Sequence, residues 1–125
     1  MQVLITKPIL KQLAENFIKG EAVRAAIDDD GNHADMDFEP VLKLFCPWGA
    51  ATWLISELNP ENNIAFGLAY LGGGYPELGL IPINELAAME HPSGLRIERD
   101  IHFSANVQLL SSYAKSARKL GYIAA

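Results

Sequence analysis

The sequence predicts an α+β domain: a mainly antiparallel sheet of about four to six strands with N-terminal and C-terminal helices packed on it. Three observations predict it. Apolar residues recur at helical spacing near the two ends of the chain. Between them, strand-like runs follow one another through short, turn-rich connections, which favour antiparallel neighbours because parallel pairs need long crossovers. No repeat, linker or low-complexity tract divides the 125 residues, so 1–125 reads as a single domain.

The first helix is predicted to start at Thr6-Lys7-Pro8, since proline is tolerated in a first turn, and Ile9, Leu10, Leu13, Phe17 and Ile18 follow at helical spacing. Gly20 is expected to end or interrupt it, and Ala22 to Ile27 fits either a helical turn or a short strand. Asp28 to Glu39 is the most polar segment, with Asp-Gly and Gly-Asn dipeptides that favour a tight turn. From His33 an extended chain would put His33, Asp35, Asp37 and Glu39 on one face, with Ala34, Met36 and Phe38 on the other. Pro40 suits an edge or a strand start.

Four strands are then expected at Val41 to Cys46, Thr52 to Leu58, Ile64 to Leu71 and Glu77 to Ile81. Pro47-Trp48-Gly49, the Asn59 to Asn63 turn and Gly72-Gly73-Gly74 separate them. Ile83 to Met89 reads as a short helix closed by His91-Pro92-Ser93-Gly94. Leu95 to Phe103 alternates again, with Arg96, Glu98, Asp100 and His102 on one face. Ser104 is the expected cap of a last helix that buries Val107, Leu110, Tyr113, Ala114 and Ala117 and stops at Gly121.

Half of the residues are hydrophobic and a fifth charged, which is globular composition. A net charge of -5 argues against binding nucleic acid through a general basic surface and leaves room for a basic protein partner. The single cysteine, Cys46, forms no internal disulfide. MQVLITKPIL lacks the features of a signal peptide, and no apolar run approaches the roughly 18 residues of a membrane span, so a cytoplasmic location is expected.

Phe45-x-Pro47-Trp48, Thr52-Trp53, Glu57, Phe66-Gly67, Glu77-Leu78-Gly79 and Gly94-Leu95-x-Ile97-Glu98-Arg99-Asp100-x-x-Phe103 together resemble the bacterial domain-of-unknown-function family 2958. The resemblance covers the strand-rich core, 41–103. It implies a passenger of mobile genetic elements such as plasmids or phages, and supplies no biochemical activity. Pro82 departs from the family pattern, where a capping serine is usual, as does the long C-terminal helix.

Among candidate sites, Glu98, Asp100 and His102 would share a strand face that could hold a divalent metal. Arg99 would then fall on the apolar side, where a charge is costly unless paired. Arg99 is therefore read as bonding a carboxylate, Glu57 or Glu77, and Glu57, Glu77, Glu98, Arg99 and Asp100 as an ion-pair frame for the sheet. Asp28, Asp30 and Asn32 alternate like a calcium loop, but Gly31 comes too early and no Glu closes it. The Asp35, Asp37, Glu39 face is a binding candidate or a strand edge blunted by charge. Cys46 reads as a buried apolar residue, and Gly72-Gly73-Gly74 lacks the context of a phosphate loop. Trp48, Tyr70 and Tyr75, if exposed, would form a recognition surface.

The sequence thus points to a small acidic protein-binding factor of a mobile element that occupies a host protein, such as a nucleic-acid-binding defence complex, in the manner of an anti-CRISPR or antirestriction factor. No cofactor, catalytic set, membrane contact or direct nucleic-acid contact is expected. The alternatives are a metal-dependent hydrolase or nuclease using Glu98, Asp100 and His102, and a self-associating structural domain.

Overall fold

The computed structural model describes residues 4–26, 36–105 and 108–125. Pro8 sits in the first turn of helix α1, Lys7–Ala25, and the Leu10 N–H bonds the Thr6 carbonyl at 2.9 Å. Gly20 neither ends nor interrupts this helix. It continues to Ala25, which settles the undecided stretch after Gly20 as helical up to that residue. The helix is also rotated from the expected apolar stripe: Leu13, Asn16 and Gly20 are buried, whereas Leu10 and Ile18 are exposed.

The strands are β1 Leu42–Phe45, β2 Thr52–Asn59, β3 Ile64–Tyr70, β4 Glu77–Pro82 and β5 Glu98–Arg99. They form one open antiparallel sheet in the order β4-β3-β2-β1-β5, an α+β arrangement with its N-terminal and C-terminal helices. A short helix, α2, Ile83–Ala88, follows β4, and α3 spans Leu110–Leu120. The Asn63 carbonyl takes the Ile83 N–H at 3.1 Å, so α2 starts behind Pro82 without a side-chain cap.

Strand pleating sorts the apolar residues into two clusters. Leu42, Leu44, Trp53, Ile55 and Ile81 join Leu13 of α1, while Leu54 and Leu68 join Leu110, Tyr113, Ala114 and Ala117 of α3. Burying a leucine or isoleucine contributes about 1.5–3 kcal/mol relative to exposure, so these clusters dominate the stability. Between Ile55 and Glu57 the register of β2 against β3 shifts by one residue, a bulge centred on Ser56.

Two expectations near the C-terminus are corrected. The strand expected over Leu95–Phe103 is reduced to Glu98–Arg99 and a single bridge between Glu90 and Arg96. Asp100 stops it by accepting the His102 N–H on its side chain at 2.9 Å, a local turn that competes with further pairing. The last helix starts at Leu110 and not behind Ser104. Its first turn is bonded from outside: the Phe38 carbonyl takes the Leu110 N–H at 2.8 Å, and Asp37 takes the Ser111 N–H at 3.1 Å and its hydroxyl. Asp37 thereby caps from the far side of the chain a helix whose own cap position is Leu109. The C-terminus follows expectation, with Gly121 left-handed at φ 81°.

Candidate functional site

The bulge brings two polar groups of β2 against α1. The Ser56 carbonyl accepts the Asn16 side-chain amide at 2.9 Å, and Asn16 in turn accepts from Gln12 at 2.9 Å. Glu57 is 2 % exposed, and its carboxylate lies where a side chain on Gly20 would otherwise stand. Glycine at position 20 is thus a requirement of close approach and not a helix stop. A buried carboxylate needs a cation or several donors, and Arg24, one turn further along α1, reaches Glu57 at 3.3 Å. The same guanidinium holds Glu21 at 2.9 Å and lies 6.0 Å from the Phe17 ring centre. Burial acts to lower the Arg24 pKa, but hydrogen bonds and charge from Glu21 and Glu57 outweigh it and raise the value above that of an ordinary arginine.

This ion pair lines a cleft of about 490 Å³. Phe17, Glu21 and Arg24 of α1 form one wall, and Met36 to Phe38 with Leu110 and Ser111 another. Residues 56 and 57 of β2, 64 to 66 of β3, and Leu78 and Leu80 of β4 complete it. The size is in the range of ligand sites, and the lining is mainly apolar with a few convergent charges, the usual character of a binding cleft. Leu80 is 75 % exposed and Leu78 39 % exposed on a strand that, among the described residues, is an edge of the sheet. Tyr75 and Leu71 are exposed in the same hairpin.

Among the described residues, no group of three or more His, Cys, Asp or Glu side chains is placed to hold a metal ion. Glu98 and His102 are not presented on one strand face, because the chain turns at Asp100; this corrects the geometry expected for a metal triad. Asp100 bonds Lys43 at 3.4 Å, and the Arg99 guanidinium donates to the Leu4 carbonyl at 3.2 Å. Glu77 and Arg99 stand on opposite edge strands, so the sheet does not bring them together, and Glu57 faces Arg24 of α1.

Asp37 and Glu39 are exposed while Met36 and Phe38 are half-buried, so the alternation expected there holds over 36–39 in a segment outside any strand. His33 and Asp35, like the Asp28–Asn32 calcium-loop candidate and Val107 of the expected last helix, lie outside the described residues. Of the three aromatics, Tyr75 is open to solvent. Trp48 is half-buried with its ring 5.6 Å from His91, and Tyr70 packs on the second apolar cluster. The cleft residues Phe17, Glu21, Arg24, Leu78, Leu80 and Ser111 were not anticipated. Only Leu78 and Leu80 carried a sequence signal, two apolar residues of equal parity in a strand followed by the apolar Ile81 on the other face.

A family described as Protein of unknown function (DUF2958) matches residues 4–124, extending the resemblance seen in the strand-rich core to nearly the whole chain. The chain belongs to that family. No curated protein and no solved structure matches it. No helix among the described residues is long and apolar enough to cross a membrane.

Proposed function

We propose that this member of the DUF2958 family is a small acidic protein-binding factor that acts by occupying a partner protein, with the β3–β4 hairpin and the adjoining cleft as its contact surface. The observation that carries this reading is the exposure of Leu80, Leu78, Tyr75 and Leu71 in one hairpin at the edge of the sheet. Apolar side chains gathered at an edge strand are a liability that a folded protein usually blunts with charge or covers. Their presence beside a 490 Å³ cleft is what a binding surface requires. The resemblance to mobile-element passengers and the net charge of -5 favour a host protein with a basic, nucleic-acid-binding surface, hence an anti-CRISPR or antirestriction role.

The test is capture from bacterial lysate by the tagged chain and by its Leu80→Glu variant, with thermal melting of both. The wild type is expected to retain a stoichiometric protein that the variant loses, at equal melting temperature. Recovery of no protein by the wild type, or equal recovery by both forms, overturns the reading.

A further inference from the structure

The charges around the cleft specify the chemistry of what it takes. Among the described residues its lining holds three carboxylates, Glu21, Asp37 and Glu57, against one guanidinium, Arg24. Arg24 already faces two of those carboxylates at 2.9 and 3.3 Å, so an anionic ligand would meet a cation that is neutralised and a surplus of like charge. An apolar group with no charge would fill the cleft and leave that surplus unanswered. A second copy of this chain would bring like charge to like charge, from a molecule of net charge -5.

We infer that the cleft binds a peptide segment of a basic partner, an apolar side chain entering between Leu78, Leu80 and Phe66 while a neighbouring lysine or arginine faces Glu21 and Asp37. This rests on the protein-binding reading and names the partner's chemistry. Both carboxylates are accessible: Glu21 and Asp37 are exposed, whereas Glu57 lies beneath them and serves to fix Arg24. The apolar portion comes from exposed Leu78 and Leu80 and half-buried Phe66, so filling the cleft removes their surface from water without rearranging the core. The rim at Leu80 continues into the exposed hairpin, which gives an extended peptide backbone a surface to follow.

A phage-displayed random peptide library selected on the immobilised chain tests this, with Leu80→Ser as the counter-target. Enriched peptides are expected to place Leu, Ile, Met or Phe within two positions of Lys or Arg, to be lost on the variant, and to weaken with added salt. For a synthetic copy of such a peptide, Glu21→Gln is expected to reduce affinity about twofold to fivefold, the scale of an exposed ion pair. Enrichment without basic residues, equal binding to the variant, or no enrichment overturns the inference. If any of these occurs while lysate capture still depends on Leu80, the protein-binding reading stands and only the basic-peptide chemistry falls. If capture fails as well, both fall.

Discussion

The two long helices reach the sheet by opposite means. α3 lays an apolar stripe, Leu110, Tyr113, Ala114 and Ala117, on Leu54 and Leu68, as an amphipathic helix is expected to. α1 sets Leu13 against Trp53 and Ile55 of β2 but also buries Asn16 and Gly20, where its seam with β2 is an amide on a bulge carbonyl and an arginine on a buried glutamate. The apolar seam contributes stability by area. The polar seam fixes position, because a displaced helix would strand a carbonyl and a carboxylate away from water. The cleft opens along the polar seam, so its wall is held by directional bonds.

The sharpest way to break this contrast is Gly20→Leu. It drives a side chain into the buried Glu57 carboxylate and is expected to cost about 3 kcal/mol, the upper end for an over-filled site, read by urea unfolding. At the apolar seam, Leu110→Ala should cost about 2.5 kcal/mol, as a buried leucine truncation does, and leave the α1 side unchanged. Hydrogen exchange at the amides of α1 separates the two: it should rise in the first variant and not in the second.

Smaller effects sharpen the same picture. Asp37→Ala removes the remote cap of α3 and should cost about 1 kcal/mol, with increased exchange confined to the first turn of that helix. Tyr113, whose hydroxyl donates to the Ala105 carbonyl at 2.7 Å, has its pKa raised by burial and by the Glu39 charge. The fold therefore holds this phenol neutral. That contribution is complete below the ordinary value of 10.0 and is lost as pH rises past it towards the higher folded value. Melting temperature should fall above pH 10.0, and Tyr113→Phe should flatten the fall at the cost of about 1 kcal/mol for the lost bond.

The legible parts of this fold were those written in local pattern. The first four strands, α2, the Leu110 to Ala117 stripe of α3 and the stop at Gly121 follow from periodicity and turn chemistry over a few residues. The rotation of α1 was not legible, because Ile18 looks more apolar than Asn16 until the Ser56 bulge presents a carbonyl to it. Gly20 looked like a stop because its true neighbour, Glu57, is far along the chain. The start of α3 was missed for the same reason: its cap is Asp37. Asp100 could have been read as a local turn-former, but the alternation around it suggested a longer strand.

Arg24 and Glu57 act as one unit in the wall of the cleft, the glutamate buried and the arginine partly exposed. A double-mutant cycle with Arg24→Met and Glu57→Gln, followed by urea unfolding, tests it most directly. Arg24→Met should cost about 2 kcal/mol, less than for a wholly buried pair because the arginine is partly exposed. The double variant should be much less destabilised than the sum of the single ones. Additive effects would show that the two side chains do not depend on each other, and would contradict their action as one unit.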